Sequence, residues 1–226
     1  MLDNKVMVVT GGAGALGQTV ASVAAGYGAQ VHSLDIVADF APKQGVYHCV
    51  DLTDAAALQS CIDDIVKNAG QIDAVANIAG GFDMGPQVHE TDDQLWDSLF
   101  NINVTTLRRM VTAITPHMLS KNRGAIVNVG AMGALRGNGN MGAYSAAKST
   151  VMRLTEALSD ELKGQGINVN AVLPSLIDTP RNRADMPDAD FDTWLKPQDL
   201  AEVVCFLCSP RARAVHGALL PVTALS

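Results

Sequence analysis

Short apolar runs alternate along the chain with longer segments in which apolar residues recur at helical spacing. The runs are rich in β-branched residues and have no polar side, which is typical of strands buried on both faces of a parallel sheet. They predict seven strands: VMVVT (6–10), VHSLD (31–35), VYHCVD (46–51), AVANIAG (74–80), AIVNVG (125–130), INVNAVLP (167–174) and one near 218–222.

The segments between these runs predict helices at about 16–27, from Thr53 or Asp54 to 68, at 94–121, 151–162 and 198–209. A strand that is followed by a helix, several times over, implies a parallel sheet with helices on both faces. The handedness of such crossovers favours a doubly wound sheet. We therefore predict one α/β domain over residues 1–226, with a mostly parallel seven-stranded sheet.

Residues 175–197 interrupt this alternation. Prolines stand at positions 174, 180, 187 and 197, and proline in a helix interior removes a hydrogen bond and clashes with the preceding turn. The segment is therefore predicted to be an irregular loop after the sixth strand.

Composition excludes several classes of protein. The 226 residues are 48% hydrophobic and 17% charged, which is typical of a globular chain and not of a disordered one. The net charge of −7 argues against nucleic acid or an anionic membrane as the main partner. No apolar run approaches a membrane span. We expect a cytoplasmic protein that acts on a small molecule.

Two of the four cysteines, Cys205 and Cys208, form a C-x-x-C motif. Such a pair can serve redox chemistry or supply half of a metal site. Their neighbours are apolar, and neither a second cysteine pair nor a histidine cluster completes four zinc ligands. We predict buried helix cysteines and no metal site.

A glycine-rich segment, TGGAGALG, joins the first strand to the first helix at residues 10–17. Gly11, Gly14 and Gly17 would allow the backbone to approach a pyrophosphate, and the helix that begins at about Leu16 would offer free N–H groups to it. On this feature alone, a tight turn without a ligand explains the glycines equally well.

An acidic residue after the second strand strengthens the nucleotide interpretation. Asp35 lies 18 residues beyond Gly17 and is followed by Ile36, and an acid at about this distance binds the ribose hydroxyls of a dinucleotide. A carboxylate there repels a 2′-phosphate, and no Lys or Arg lies in the glycine loop or directly after Asp35. The pattern therefore predicts NAD(H) in preference to NADP(H).

Tyr144 and Lys148 form a Y-x-x-x-K motif. Residues i and i+4 lie on one face of a helix, so the phenol and the ammonium can share a site. A nearby ammonium, together with a positively charged nicotinamide ring, is expected to lower the pKa of Tyr144 from about 10 toward neutrality. The alternative is an ordinary pair on a helix surface.

Together these motifs resemble the short-chain dehydrogenase/reductase family over nearly the whole chain. The glycine pattern of that family fits Thr10, Gly11 and Gly17, with Ala15 in place of its middle glycine. The resemblance implies a Rossmann-type fold and hydride transfer with a nicotinamide cofactor.

The resemblance also implies roles for other residues. Tyr144 would be the proton donor, Lys148 would also bind the nicotinamide ribose, and Asn103 would bind a water in the proton relay. A buried polar contact inside a helix is the alternative for Asn103, and an ordinary loop acid is the alternative for Asp51. The remaining cofactor-binding positions implied are Asp51 and Leu52 near the adenine, Asn77, Ala79 and Gly80 after the fourth strand, and Pro174, Ile177 and Thr179 at the start of the substrate loop (about 175–197).

The family serine is missing, because the position 13 residues before Tyr144 is Ala131. That serine helps to hold a carbonyl oxygen as it becomes negative, and losing such a donor costs about 10²- to 10³-fold in rate. A quinoid imine needs less help, since it is strongly electrophilic and regains aromatic character on reduction. Within the family, quinoid dihydropteridine reductase resembles this chain in its alanine and in residues 173–194.

Three functions stay open at this point. The first is an NADH-dependent reductase of pteridine or other quinoid substrates. The second is a general carbonyl or alcohol dehydrogenase, similar to 3-oxoacyl reductases, with another oxyanion donor. The third is a non-catalytic NAD(H)-binding sensor, which would not need the phenol. Apolar positions on more than one side of 94–121 and 151–162 suit a homodimer or homotetramer.

Overall fold

The computed structural model describes all 226 residues, and a single seven-stranded sheet forms its centre. Every pair of neighbouring strands is parallel. The strands are β1 Val6–Thr10, β2 Gln30–Asp35, β3 Val46–Cys49, β4 Ala74–Asn77, β5 Gly124–Val129, β6 Ile167–Pro174 and β7 Leu219–Val222.

Helices connect the strands and cover both faces of the sheet. They are α1 Ala15–Gly26, α2 Ala55–Ala69, α3 Asp93–Phe100, α4 Thr106–Lys121, α5 Gly142–Leu162, α6 Pro180–Asp185 and α7 Pro197–Leu207. No helix is both long and apolar enough to cross a membrane.

The order of the strands creates a crevice at the carboxyl edge of the sheet. The order is β3-β2-β1-β4-β5-β6-β7, so the chain leaves β1 in one direction and later returns to its other side with β4. Ligands of doubly wound sheets bind at this switch point. Thr10 and Asn77, which end β1 and β4, are paired in register there.

Two hydrophobic clusters, one on each face, hold the helices to the sheet. One contains the buried residues of α1 and α7 with β1, and the other contains those of α2 and α4 with β2, β4 and β6. Cys205 and Cys208 lie in the first cluster, and both are free and buried. Burial raises the pKa of Cys205 to about 12 and holds the pKa of Cys208 well above its ordinary value. The prediction that both cysteines are buried is confirmed.

The seven predicted strands are confirmed in number and order, whereas seven helices replace the five predicted, because 94–121 contains two helices and α6 was not predicted. The segment 94–121 is not one regular helix, because a π-helical turn at Asn101–Thr105 separates α3 from α4. The helix predicted at 151–162 begins earlier, at Gly142. β4 ends at Asn77 instead of Gly80, and the side chain of Thr10 accepts a hydrogen bond from the backbone N–H of Ala79 just beyond.

The start of α2 resolves an open choice between two capping residues. The carboxylate of Asp54 accepts hydrogen bonds from the N–H groups of Ala56 and Ala57 at 2.9 and 3.0 Å. These are two of the orphan donors that begin every helix. Asp54, and not Thr53, is therefore the cap.

Two adjacent histidines, His32 on β2 and His48 on β3, make the stability of the fold sensitive to acid. Nδ1 of His32 lies 3.0 Å from Nε2 of His48, the rings stack, and Nε2 of His32 is buried without a partner. Burial, followed by the nearby His48, lowers the pKa of His32 to about 4. In the unfolded chain His32 is protonated as the pH falls below about 6.5, whereas in the folded chain it stays neutral until about pH 4. The free energy of unfolding therefore decreases as the pH falls from about 6.5 toward 4.

We expect the free energy of unfolding to fall between about pH 7.5 and 5 by roughly 1–2 kcal/mol because of this pair. Urea unfolding at both pH values measures this change in the free energy of unfolding. The contributions of other titratable groups are common to the wild type and His32→Leu, so they cancel when the two proteins are compared. The variant should lose less stability than the wild type over this range. Equal losses in the two proteins would contradict the assignment.

Candidate active site

The glycine loop at the carboxyl end of β1 is a cradle that larger residues would fill. Gly11 has a φ of +67°, and a Cβ there would lie 2.9 Å from the backbone of Ala79. A Cβ on Gly17 would lie 2.0 Å from the carbonyl oxygen of Gly11. The loop therefore sits directly against the start of α1 and against the segment after β4, as the close approach of backbone to a pyrophosphate requires.

The N-terminus of α1 carries no competing group. Gly14 is the capping residue and supplies no side chain, and the first turn contains no acidic residue. Its N–H groups and positive dipole end are thus available to an anion. Ala15, where the family has glycine, is the first helical residue and is exposed, so its methyl group does not obstruct the loop. These residues fit the diphosphate of a dinucleotide.

Asp35 joins the end of β2 to this loop. One carboxylate oxygen accepts a hydrogen bond from the N–H of Ala13 at 3.0 Å, and the other accepts one from the N–H of Ile36 at 2.7 Å. Asp35 therefore holds the glycine loop to the end of β2. Ile36 is 66% exposed, which leaves its side chain free to pack against a flat ring.

Asp51 and Leu52 follow β3, and the structure separates their roles. One oxygen of Asp51 accepts hydrogen bonds from both the N–H and the hydroxyl of Thr53, at 2.7 Å each, and these bonds lower the pKa of Asp51. Asp51 is exposed, whereas Leu52 is buried in the core. The geometry of Asp51 is thus that of a loop acid whose second oxygen is unused, and only the backbone of Leu52 could meet a ligand.

A cavity beside the glycine loop is lined in part by a basic side chain, that of Lys43, which the sequence analysis did not predict there. It is lined by Gly12, Gln18, Ser33 and Lys43 among others, and the hydroxyl of Ser33 is buried without a partner. Lys43 belongs to the loop between β2 and β3, so its position depends on how that loop folds back onto α1. No sequence pattern signals this return.

Beyond β4, a chain of buried amides ties the sheet to α5. The side chain of Asn77 donates to Asn128 at 2.8 Å, Asn128 donates to Thr155 at 2.9 Å, and Thr155 donates to the carbonyl of Val151. All three polar side chains are buried. Asn77 therefore ties the sheet to the helix that carries Tyr144 and Lys148.

Gly80 is the point on which two predicted site residues converge. A Cβ at this position would lie 2.8 Å from Oδ1 of Asn103 and 3.1 Å from Nζ of Lys148. The chain therefore brings α5, the π-helical turn and the segment after β4 together at the carboxyl edge of the sheet. A residue larger than glycine would displace one of the two polar groups.

The ammonium group of Lys148 is buried at this point. The residue is 6% exposed, and Nζ donates a hydrogen bond to the carbonyl oxygen of Val129 at 3.0 Å. Burial lowers the pKa of Lys148 to about 8. Lys148 is thus fixed by the end of β5, with further N–H donors left for a ligand.

The residues of the protein do not by themselves lower the pKa of Tyr144, whereas the expected lowering required a positively charged nicotinamide ring as well. Burial raises the pKa of Tyr144 to about 12, instead of a neighbouring ammonium lowering it toward neutrality. The physical reason is that the phenolate would be poorly solvated in this half-buried position, and that Lys148 is itself buried and turned to Val129. The residues of the chain by themselves keep the phenol protonated at neutral pH.

Asn103 makes buried polar contacts within the protein. Its side-chain amide donates to the carbonyls of Gly81 at 3.0 Å and Leu99 at 2.9 Å, and Oδ1 accepts the N–H of Gly81 at 3.2 Å. Both amide hydrogens are thereby used. The contacts match the alternative weighed for Asn103, and they place it as the residue that anchors the segment after Gly80.

Ala131 packs where the family serine would stand. It is 5% exposed and forms a small cluster with Ala134, Met152 and Leu173, against which Tyr144 also packs. Ala131 has no hydroxyl group, so this position supplies no hydrogen-bond donor from its side chain. Ser145, next to Tyr144, is buried on α5 with its hydroxyl unpartnered.

The segment predicted to be the substrate loop follows Pro174, which is buried at the end of β6. Ile177 forms an isolated parallel bridge with Leu195, and the hydroxyl of Thr179 caps α6 by accepting from the N–H of Asn182. As expected, the segment contains no long helix. Ile177 and Thr179 are both partly exposed beside the carboxyl edge of β6.

An arginine ties the outer part of this segment together. Arg183 binds both carboxylate oxygens of Asp178, at 2.5 and 2.7 Å, and its guanidinium lies 4.6 Å from the ring centre of Phe191. Phe191 in turn packs edge-on against Trp194, which is 4% exposed. Trp194 is thus a buried anchor of this segment and not a surface on which a ligand stacks.

A cleft next to Tyr144 is lined mostly by residues outside the predicted set. They come mainly from the loop after β4, from α3 and from the turn that leads into α5. Phe82, which precedes the lining residue Asp83, packs edge-on against Tyr144. Seven of the twelve lining residues are Asp83, Met84, Leu95, Leu99, Asn140, Met141 and Tyr144.

Comparison with known proteins agrees with this arrangement. Residues 5–190 match the family model described as short chain dehydrogenase. A 2-(S)-hydroxypropyl-CoM dehydrogenase from Xanthobacter autotrophicus is 32% identical over 98% of this chain and 96% of its own length. A 3-oxoacyl-[acyl-carrier-protein] reductase from Thermotoga maritima is 28% identical over 98% of this chain and 97% of its own.

Solved structures have the same fold. Carveol dehydrogenase from Mycobacterium avium, in complex with NAD, superimposes with a TM-score of 0.88 at 29% identity, over 99% of this chain and 97% of that one. An NAD⁺-bound xylitol dehydrogenase, 24% identical, has a TM-score of 0.90 over 99% of both chains. The chain belongs to the short-chain dehydrogenase/reductase family, and it is an oxidoreductase that uses a nicotinamide cofactor.

Proposed function

We propose that the protein is an NADH-dependent reductase in which Tyr144 delivers the proton. The observation that carries the proposal is the convergence at Gly80: Lys148 and Asn103 meet there at the carboxyl edge of β4, beside the glycine loop. Tyr144 lies one helical turn before Lys148 on the same helix. The proposed proton donor and the buried cation of Lys148 therefore share one face of α5, and Lys148 lies at the carboxyl edge of the doubly wound sheet.

The chain offers a group for each part of the cofactor. The loop at Gly11 and Gly17 and the N-terminus of α1 would hold the diphosphate, and Asp35 would accept the hydroxyls of the adenine ribose. Lys148 would donate to the other ribose. Bound NADH supplies the hydride. The other cofactor contacts follow the expected positions: Gly14, Ala15, Leu16, Ile36, Asp51, Leu52, Asn77, Ala79, Gly80, Tyr144, Pro174, Ile177 and Thr179.

Tyr144 would act as a general acid. A donor must carry its proton at the working pH, and the raised pKa of Tyr144 keeps it loaded. The hydrogen bond from Lys148 to Val129 fixes the ammonium group. Lys148 lies one helical turn after Tyr144 on α5. A cation there stabilises the phenolate that remains after the proton has left.

The preference for NADH rests on the carboxylate of Asp35, which would repel a 2′-phosphate. Lys43, in the cavity beside the loop, is the one group with the opposite effect. Lys43 is exposed to water, so its attraction is screened. Asp35 is bonded to the loop itself, and we expect its repulsion to dominate.

We expect Asp35→Ser to shift the ratio of NADH to NADPH affinities toward NADPH by about 10-fold or more, because the change removes a charge worth on the order of 1–3 kcal/mol against a phosphate. Fluorescence titration of each reduced cofactor measures the ratio. Asp39→Ser, an exposed acid on the same loop, is the matched control and should leave it unchanged. Tighter binding of NADPH than of NADH by the wild type would refute the preference.

For the substrate we propose a quinoid imine such as quinoid dihydropteridine. Ala131 is buried among apolar side chains, so the site lacks the hydroxyl that holds a developing oxyanion. An imine nitrogen that gains aromatic stabilisation on reduction needs only the proton from Tyr144. The substrate would enter by the segment 175–197 and the cleft beside Tyr144.

A second candidate is a general carbonyl or alcohol dehydrogenase. It is favoured by the relatives, which include 3-oxoacyl-[acyl-carrier-protein] reductases and a 2-(S)-hydroxypropyl-CoM dehydrogenase. Such an enzyme would need an oxyanion donor other than residue 131. A non-catalytic NAD(H) sensor is the third candidate, and the paired Tyr144 and Lys148 argue against it.

A screen by NADH absorbance separates the three. Turnover of quinoid dihydropteridine well above that of a panel of ketones and 3-oxoacyl thioesters is the expected result. Faster reduction of the ketones or thioesters would establish the second candidate in its place. Tight NADH binding without turnover of any compound would favour the sensor.

We also propose that the protein is a homodimer or homotetramer. Trp96 and Ile102 are apolar and more than a third exposed, on α3 and on the π-helical turn. Such surface is typical of contacts between subunits. Sedimentation analysis would detect the assembly, and a monomer at micromolar concentration would refute it.

A further inference from the structure

Phe82 and Tyr144 form a corner of two aromatic rings next to the cleft that Tyr144 lines. Their ring centres are 4.9 Å apart and the planes are inclined at 82°, an edge-to-face contact. Phe82 is 46% exposed. An apolar ring that is held against the proton donor and still faces solvent has surface left to cover a ligand.

The backbone before Phe82 is fixed from two sides. The N–H of Gly81 donates to Oδ1 of Asn103, and its carbonyl accepts from the amide of the same side chain. A Cβ on Gly81 would lie 3.2 Å from the side chain of Ile102, so the backbone at Gly81 packs closely against the π-helical turn. Phe82 therefore starts from an anchored point, and little entropy is lost when it meets a ligand.

A cleft beside Tyr144 begins at Asp83, the residue after Phe82, and half of its lining residues are hydrophobic. Leu95 and Leu99 of α3 contribute apolar side chains together with Met84, and Asp83 is the charged residue of the lining. A ligand in this cleft whose reacting atom is at the phenol of Tyr144 would lie close to the ring of Phe82, because that ring contacts Tyr144.

We propose that Phe82 is a specificity-determining residue, which with Tyr144 selects the flat face of a conjugated ring over a saturated ring of the same size. This inference rests on the proposed function, because it assumes that substrate meets Tyr144, and it narrows the substrate class to planar conjugated rings. Asn103 acts as a positioning residue for Phe82 through Gly81. Flat rings gain from offset or edge-on aromatic contacts that a puckered ring cannot make.

The test compares two alcohols of equal carbon skeleton, 1-naphthol and decahydro-1-naphthol. Their dissociation constants are measured by calorimetry on protein saturated with whichever oxidised nicotinamide cofactor binds more tightly. We expect the wild type to prefer 1-naphthol, and Phe82→Leu to reduce that preference by roughly 3- to 10-fold, the value of one aromatic contact. Phe82→Tyr, which keeps the ring, should restore it.

A matched control is Phe206→Leu, since Phe206 is a similarly exposed phenylalanine on α7, and it should leave the preference unchanged. Cofactor affinity within twofold of the wild type shows that each variant is folded. An equal loss of affinity for both alcohols in Phe82→Leu would overturn the inference, as would no preference for 1-naphthol, or no binding of either, in the wild type.

The binding test needs no turnover, so its failure is distinct from failure of the proposed function. If quinoid dihydropteridine is not reduced but Phe82→Leu lowers the preference for the flat alcohol, Phe82 keeps its role and the proposed substrate is wrong. If the pteridine is reduced and the preference is unchanged, the reductase stands and the role of Phe82 is refuted.

Discussion

Gly17→Ala is expected to abolish measurable binding of NADH. The new Cβ would lie 2.0 Å from the carbonyl oxygen of Gly11 and 3.0 Å from Cα of Gly12, and both are backbone atoms that cannot move aside as a flexible side chain could. The start of α1 or the glycine loop must therefore shift. Because the diphosphate would be held by backbone N–H groups of that loop, we expect the affinity to fall by about 10²-fold or more.

Gly26→Ala is the matched control, since Gly26 ends the same helix and a Cβ there meets nothing within 4 Å. It should bind NADH normally and gain about 0.5–1 kcal/mol in stability, the usual difference between alanine and glycine in a helix. Titration by NADH fluorescence, with circular dichroism as the check on folding, measures both variants. Normal NADH affinity in folded Gly17→Ala would contradict the account of the loop.

Tyr144→Phe is expected to lower the turnover number by about 10²- to 10⁴-fold, the contribution of a positioned proton donor. The ring and its contact with Phe82 remain in this variant, so the affinity for NADH should change little. A loss in kcat with an unchanged cofactor affinity is the pattern of a group that acts in the chemical step. Steady-state kinetics with the best substrate of the absorbance screen provides the measurement.

Tyr27→Phe controls for the loss of a tyrosine hydroxyl elsewhere. The hydroxyl of Tyr27 binds Glu202 at 2.5 Å and links α1 to α7, away from the site. We expect a small loss of stability and an unchanged turnover number. If Tyr144→Phe kept the wild-type turnover number, Tyr144 would not be the proton donor.

The architecture could be predicted because it depends on patterns that are local in sequence. Seven apolar runs separated by helical segments are enough to specify a parallel sheet, and the glycines before α1 and the acid after β2 place the nucleotide site at its switch point. The helical spacing of Tyr144 and Lys148 was equally readable. The prediction of one continuous helix over 94–121 was wrong, because the π-helical turn at Asn101–Thr105 has no periodic signal in the sequence.

The electrostatics of the site depend on burial, which the sequence does not report. The spacing of Tyr144 and Lys148 suggested an acidic phenol, yet burial raises the pKa of Tyr144 and directs Lys148 to the carbonyl of Val129. In the same way, Phe82 and Lys43 reach the site by loops whose paths are set by tertiary contacts. The sequence thus predicts which groups are present and not how water is excluded from them.

The most direct test of the central claim, that the phenol of Tyr144 delivers the proton, is a single turnover of the protein–NADH complex followed by stopped-flow absorbance in H₂O and in D₂O. NADH oxidation by the wild type should be slower in D₂O, because the transferred proton comes from an exchangeable hydroxyl. Tyr144→Phe should lose both the rate and the solvent effect. An equal solvent effect in the variant, at a rate close to that of the wild type, would contradict the claim.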